Sequence, residues 1–502
     1  MFKTSAVLTI FACFLACALL LSSCELRGEA RQSPIEQGEE QLLGAVRKDA
    51  YRRPEDAEPF PLVPPLVVVR GTWKDMGNSY GEEAGKLIAA MVDSLLHILE
   101  DNGVEEDGLR EELDVVAGAV QQNFPGMYAF MEGIAEGASG YLERTAGGKG
   151  LDPLHKVLLV NCFSSLASPG EDTRRLLVEE GSSWSVRTGG KKGRALAGAN
   201  VDGAFYPLMY RVALVVVPDD PEAGVYFSLP PAGGVGGPVG VNQAGVFVAA
   251  TAVWEDVAVP GGEDRSEAGR EDGGNGAADL PLGVLCASSL ARSSDADSAL
   301  QLLLHGPEAG AGGEGKAVLP CRGANILVSD RRKALVLERA GLDYAVREEE
   351  MIPGDGSFCA ATDHFAALTA TGSEEGTSVA ETVPDGALYS RIRLRSLEAL
   401  LREGGGDVDA AWAMRELAAM DYVLGEGGEK IFQLPDPAGH NASCLEGGLT
   451  VNRLLLKDGK PFYGTVCSLV VDLEGPVAWY ELGLPTDWTG PWERINLGEY
   501  LR

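Results

Sequence analysis

The stretch "VEEGSSWSV", Val178 to Val186, followed by "ALAGANVD", Ala195 to Asp202, marks the point at which this chain changes character. Upstream of about Glu180 the apolar residues recur at helical spacing. In "EEAGKLIAAMVDSLLHILED" Leu87, Ile88, Met91, Leu95, Leu96 and Leu99 fall three and four residues apart, which predicts one apolar stripe along a helix. Further helical segments are expected around "MYAFMEGIAEGAS" and "DPLHKVLLVNCFSSLA". Downstream the pattern becomes short β-like runs divided by Gly or Asp turns: "RVALVVVP", "GVYFSLP", "GVFVAATAV", "ANILVSD", "KALVLE" and "TVCSLVVDLEGPVAWYEL". Helices are expected between them at "GVLCASSLARSSDADSALQLLLHG", "LYSRIRLRSLEALLREG" and "DVDAAWAMRELAAMDYVL". Strand-rich layers with helices grouped between them predict an α+β layered body with substantially antiparallel sheets.

The chain opens with Lys3, an apolar run from Val7 to Leu21 and "LSSC", Leu21 to Cys24. The run is short for a permanent span, which needs about 20 residues, and reads as a secretion signal ending in a lipobox. Residues 1–23 are then a lipoprotein signal peptide and Cys24 the lipidated residue. Residues 24–64, rich in Glu, Arg, Gln and Pro and ending in "PFPLVPP", read as a flexible tether. The expected location is the cell envelope, lipid-anchored and facing outside the cytoplasm. Lys and Arg number 42 against 74 Asp and Glu, a formal net charge of −32, and this excess repels nucleic acid and anionic headgroups. Beyond Cys24 the cysteines are Cys162, Cys286, Cys321, Cys359, Cys444 and Cys467, scattered without CxxC spacing. No metal or other cofactor is expected, and buried free thiols are the default reading. A polar insertion, "PGGEDRSEAGREDGGNGAAD" from Pro260 to Asp279, reads as a solvated surface loop.

Several strings, in order, resemble the acyl-CoA:isopenicillin N acyltransferase-like family, the linear-amide hydrolases related to choloylglycine and penicillin V hydrolases. "RGTWKDMGNSYGEEAGKLI", Arg70 to Ile88, is similar to the family's opening "GT…GxxxG" helix, and "MEGIAEGASG", Met131 to Gly140, to its "xxGIAEGA" element. "HKVLLVNC" resembles the helix before the processing site, and "GANVDG" the "GxNxD" strand end. "GPVGVNQAGVFVA", Gly237 to Ala249, "ATDHF", Ala361 to Phe365, and "GTVCSLVVDLEG" resemble "GxVGxNxxGxxV", "xTNHF" and the closing "TxxSxxxD" strand. The resemblance implies a four-layer αββα sandwich of the N-terminal-nucleophile type. It also implies cleavage of the backbone before a nucleophile whose freed α-amine serves as base. Residues 65–180 are then a helical pro-segment or small subunit, and residues 181–502 the αββα core. An α-amine titrates near 7.7 to 8.0 and can take a proton from a weakly nucleophilic serine hydroxyl, so no histidine is required.

The family's processing site, approximately Gly-Cys-Thr/Ser-Ser-aromatic, fits Glu180-Gly181-Ser182-Ser183-Trp184 in two registers. Aligning Gly181 with the family glycine makes Ser182 the nucleophile. Aligning Trp184 with the aromatic puts Gly181 in the cysteine position and removes the nucleophile; Ser183 is a third candidate. The resemblance further assigns Asp202 to hold the new amine, Asn200 as a neighbouring or oxyanion contributor, Thr251 at the oxyanion asparagine, Asp363 at the asparagine of "TNHF" and Arg391 at a supporting arginine. His364 is expected as a hydrogen-bonded core or rim residue rather than a base. Ala199 stands where bile-salt hydrolases carry an arginine, which argues against bile-salt recognition.

Three readings follow. The first is an envelope amidohydrolase or acyltransferase, self-processed at Gly181/Ser182, acting on a non-peptide C–N linkage of a small-molecule acyl amide or acyl donor. The second is an unprocessed, non-catalytic binding or scaffold lipoprotein. The third is a lipid-ester hydrolase, since phospholipase-B-like proteins share the architecture.

Overall fold

Among the described residues, two eight-stranded sheets form the centre of the fold. In the computed structural model the described residues are 65–166, 177–189, 193–204, 210–253, 279–307, 318–352, 356–368, 385–404, 408–420, 422–424, 430–432, 454–457, 460–481 and 492–501. The expected signal peptide, Cys24, the tether, the acidic insertion up to residue 278 and Cys444 lie outside them. Sheet A runs, in spatial order, β1 (Leu66–Gly71), β4 (Ala213–Pro218), β5 (Tyr226–Ser228), β6 (Val239–Asn242), β7 (Phe247–Ala252), β8 (Cys321–Ser329), β9 (Ala334–Gly341) and β10 (Asp343–Glu348). Sheet B runs β11 (Glu350–Ile352), β12 (Gly356–Ala361), β2 (Glu180–Arg187), β3 (Ala195–Ala204), β16 (Lys460–Asp472), β17 (Val477–Glu481) and β18 (Glu493–Asn496), with β15 (Leu454–Lys457) also paired to β16. A separate two-stranded ribbon joins β13 (Tyr422–Leu424) to β14 (Lys430–Phe432).

The faces of β2, β7, β8 and β12 pack on one another across the gap between the sheets. Helices α5 (Leu282–Arg292) and α6 (Ala296–His305) cover sheet A, while α7 (Asp385–Glu403) and α8 (Ala410–Ala418, its last six residues a π-turn) cover sheet B. This is the four-layer αββα sandwich. Its two cores follow from strand alternation: Ala197, Ala199 and Val201 enter the main core, whereas Trp184, Val186 and Leu196 join Leu397, Leu401 and Leu417 under the α7/α8 layer.

The segment expected to be mostly helical opens with a strand. β1 pairs with β4 in parallel, Val67 opposite Leu214 and Val69 opposite Val216. Its "LVVVRG" is short and β-branched, carries no helical period, and finds its partner far along the chain. Helices α1 (Trp73–Asp101), α2 (Glu106–Asn123), α3 (Pro125–Gly137) and α4 (Pro153–Cys162) follow, and their apolar faces belong to the same core as sheet A. Thr72 starts α1 by accepting from the Asp75 amide at 3.2 Å, and Asp152 caps α4 by accepting from the His155 amide at 2.9 Å, with Pro153 in the first turn.

The glycines of the two opening motifs explain each other. A Cβ on Gly77 would lie 2.1 Å from the Phe130 carbonyl oxygen, one on Gly133 2.1 Å from that of Lys74, and one on Gly137 2.1 Å from that of Asn78. α1 and α3 therefore cross backbone to backbone, and only glycine fits the crossing. Gly133→Val must push two helices apart, so its destabilisation should exceed the roughly 1–3 kcal/mol typical of an overpacked side chain. Urea denaturation of Gly133→Val beside Gly118→Ala, whose Cβ would meet nothing within 4 Å, checks this. Equal midpoints would contradict the packing described.

Candidate active site

The start of β2 is a meeting point of both sheets and of the α7 layer. The carbonyl of Glu179 accepts from the Ala252 amide at the end of β7, 3.1 Å away. Its carboxylate pairs with the fully buried Arg211, whose other arm donates to the Leu229 carbonyl at 2.7 Å. One residue beyond Glu180, the Gly181 amide donates to Asp363 Oδ1 at 2.8 Å, and the second oxygen of that carboxylate is ion-paired with Arg393 of α7. Asp363 and Arg393 are both buried. A charge placed there is tolerable because it is paired and hydrogen-bonded at once. Gly181 has a φ of +152°, and a Cβ there would come within 2.0 Å of the Asn200 carbonyl oxygen, so the position admits only glycine as built.

Ser182 is opposite Asn200 in the β2–β3 ladder, and Glu180 is opposite Asp202. Strand alternation from Trp184 puts the Ser182 hydroxyl on the face beneath α7 and α8, and the Asn200 amide confirms that face by donating to the Ala418 carbonyl at 2.8 Å. Asp202 continues along the same face and accepts from Thr465 Oγ1 at 2.8 Å. Ser182 Oγ is fully buried and has no hydrogen-bond partner among the described residues. Ser183 lies on the opposite face, between the sheets, and its hydroxyl is likewise buried without a partner there. Such atoms are uncommon in folded proteins, and three in succession, with Trp184 Nε1 as the third, single out this strand.

Of the residues expected from sequence, Ser182, Asn200 and Asp202 share one face of sheet B, and Gly181 and Asp363 are in direct contact. Thr251, the last residue but one of β7, lies on the inter-sheet side, where its hydroxyl donates to the Thr362 carbonyl at 3.3 Å. Arg391 is half-buried, and the arginine that reaches Asp363 is Arg393. The reason is helical phase: among the described side chains of α7 the buried ones are Ser390, Arg393, Ser396, Leu397, Leu400 and Leu401, and Arg393 lies on that stripe while Arg391 lies beside it. Running the helical period backward from "LEALL" finds it.

His364 is a core residue. Thr362 Oγ1 donates to the Ser390 carbonyl at 3.1 Å and Ser390 Oγ to Thr362 Oγ1 at 2.8 Å, which leaves His364 Nδ1, 2.9 Å from Ser390 Oγ, to carry the proton and donate. Burial, with the positive charges of Arg391, Arg393 and Arg347, pulls the imidazole from 6.5 down to about 4. It is neutral in the folded protein near neutral pH and cannot serve there as a cation. Cys162, Cys286, Cys321, Cys359 and Cys467 are buried free thiols, and burial pushes Cys359 and Cys467 up to about 11. Among the described residues no group of three or more His, Cys, Asp or Glu side chains is arranged to hold a metal, and no helix is long and apolar enough to cross a membrane.

A small cleft opens beside Glu179 and Ala252, walled by Val160, Phe163 and Ser164 of the N-terminal segment and by Pro238 and Leu282. The N-terminal segment and the sandwich thus share this boundary next to β2.

No family model matches the chain, and no curated protein matches it by sequence. Among solved structures it is similar to a Caenorhabditis elegans ortholog of N-acylethanolamine-hydrolyzing acid amidase, with 13% identity over 62% of this chain and 99% of that one, at a TM-score of 0.34. A mutant of a conjugated bile acid hydrolase from Clostridium perfringens gives 11% identity over 63% and 93% at 0.35. A penicillin V acylase from Agrobacterium tumefaciens gives 11% over 63% and 86% at 0.34. The αββα architecture stands on this chain's own strand order and packing.

The depressed His364 sets a pH dependence. Because its folded value lies below the unfolded one, its contribution is complete above about 6.5 and is lost as pH falls toward 4, where the unfolded chain binds the proton first. The loss over that window should be about 3 kcal/mol. His364→Asn, which keeps a donor near Ser390, should flatten the stability profile between pH 7 and pH 4 by about that amount in chemical denaturation. Parallel profiles for the two proteins would show that His364 titrates alike in both states.

Proposed function

We propose that the protein is an amidohydrolase or acyltransferase of the N-terminal-nucleophile type, acting on the C–N bond of a small acyl amide. In this reading the chain cuts itself between Gly181 and Ser182 and uses Ser182 as nucleophile. The observation that carries it is the fully buried, unpartnered Ser182 hydroxyl, directly across from Asn200 and on the same strand face as Asp202, after a glycine held at φ +152°. In the processing step Ser182 Oγ bonds to the Gly181 carbonyl carbon, the Gly181 C–N bond breaks, and the hydroxyl proton passes to the departing nitrogen. Water then hydrolyses the ester, leaving a carboxylate at Gly181 and a free amine and hydroxyl on Ser182. That amine would be the base for the next acyl transfer, and Asp202 would hold it through charge-assisted bonds. The N-terminal segment would stay bound, since β1 and α1–α4 share the main core. Anchoring through a lipidated Cys24 at the cell envelope, facing outside the cytoplasm, is part of the same proposal.

A second reading is favoured by specific observations. The Asp363–Arg393 pair occupies the Gly181 amide, and the Thr251 hydroxyl is committed to the Thr362 carbonyl. Loss of one preorganised oxyanion donor typically costs about 3–4 kcal/mol of transition-state stabilisation. A chain that stays whole and binds an acyl compound without turning it over fits these features.

Intact mass under denaturing conditions separates the two. The catalytic reading predicts two polypeptides divided between Gly181 and Ser182, and one uncut chain for Ser182→Ala. Cleaved protein should also hydrolyse at least one linear amide in a panel of N-acylethanolamines, conjugated bile acids and penicillin V. A single intact wild-type chain would decide for the second reading.

A further inference from the structure

Three polar side chains of sheet A stand in one cross-strand row: Thr251 of β7 is opposite Asn325 of β8, and Asn325 is opposite Glu338 of β9. All three are buried, in strands otherwise made largely of Ala, Ile, Leu and Val. Each grips the same short segment, residues 362–368, which follows β12 of the other sheet. Thr251 Oγ1 donates to the Thr362 carbonyl at 3.3 Å. Asn325 Nδ2 donates to the Thr362 and His364 carbonyls, both at 2.6 Å, and so holds the backbone on either side of Asp363. The Glu338 carboxylate accepts from the amides of Ala366, Ala367 and Leu368 at 2.8 to 3.1 Å. Arg347 closes the row, donating to Glu338 at 2.6 Å and to the Ala360 carbonyl at 3.1 Å, at the end of β12.

The geometry points to Asn325 and Glu338 as positioning residues that hold the Asp363 carboxylate against the Gly181 amide, and thereby set the backbone at the proposed scissile bond. A segment of seven residues outside any strand or α-helix makes seven hydrogen bonds with this row, accepting three at its carbonyls and donating four from its amides. Hydrogen bonds made in a buried, low-dielectric setting rigidify what they hold, although Asn325 Oδ1 itself finds no partner among the described residues, whereas an isolated turn of this length would open readily. The row lies on sheet A, and Asp363 delivers its hold to sheet B and to α7 through Gly181 and Arg393. The family resemblance does not single out either residue. Their effect on cleavage rests on the function proposed above; their hold on Gly181 does not.

Two measurements on the full chain test this separately. Hydrogen exchange of uncleaved Ser182→Ala protein, resolved at Gly181, should speed up by about tenfold on adding Asn325→Leu, with the amides of Trp184 to Val186 unchanged. Glu338→Gln, which turns one acceptor into a donor facing three amides, should raise Gly181 exchange in the same direction, and it carries the same readout if Asn325→Leu does not accumulate as folded protein. Unchanged exchange at Gly181, or equal loosening along the whole of β2, would overturn the assignment. In the Ser182-bearing chain the same substitutions should slow appearance of the two fragments by about tenfold or more. Wild-type protein that never cleaves defeats the proposed function alone, and the exchange result then decides the positioning role.

Discussion

A single buried carboxylate, Asp363, ties three layers of the molecule together. One oxygen takes the Gly181 amide of sheet B, the other takes Arg393 of the covering helix, and its backbone is fastened to sheet A through Asn325. Removing either charge would strand the other in a low-dielectric interior, so the pair is tolerated only as a unit. The start of β2, the Glu179–Arg211 pair and the end of β7 are then arranged around a strand whose entry point is already fixed. Whether the site performs chemistry or only binding, its geometry descends from this constraint.

The distribution of roles along β2 follows from pleating. Ser182 and Trp184 face the α7/α8 layer, whereas Ser183 and Ser185 face the gap between the sheets, where Ser185 meets Ser329 at 2.7 Å. A shift of one residue in the alignment therefore exchanges the Ser182 hydroxyl beneath the helices for Gly181, which carries no hydroxyl at all. The two registers left open by sequence are physically different sites, and the structure brings Gly181, not Ser182, into contact with Asp363. Ser182 instead shares its face with Asn200 and Asp202, the arrangement on which the proposed amine-holding role of Asp202 depends.

Much of the architecture is legible in the sequence because it rests on local periodicity. The stripe from Ile88 to Leu99, the paired helices of residues 282–305 and the strands "ANILVSD" and "KALVLE" each carry their own pattern. β1 cannot be recognised in this way, because its partner β4 lies more than a hundred residues away and its own six residues have no distinguishing period. At the site, the "GxNxD" and "TNHF"-like strings lead to Asp202 and Asp363, but Asn325 and Glu338 sit inside strands whose local pattern gives them no role. A lone polar residue in an apolar strand is the available signal, and its meaning depends on which segment of the other sheet it faces. The family string leads to Arg391 rather than Arg393 because an alignment counts residues where the helix counts angles.

The central claim, that the Asp363–Arg393 pair acts as one unit holding the start of β2, is tested most directly by a double-mutant cycle. Stability would be measured by urea denaturation for wild type, Asp363→Asn, Arg393→Met and the double variant, all on the uncleaved chain. The account predicts losses of about 3–5 kcal/mol for each single change and a double variant little worse than either, a coupling of about 3 kcal/mol. Losses that simply add, within about 0.5 kcal/mol, would mean that the two charges do not depend on each other and would contradict it.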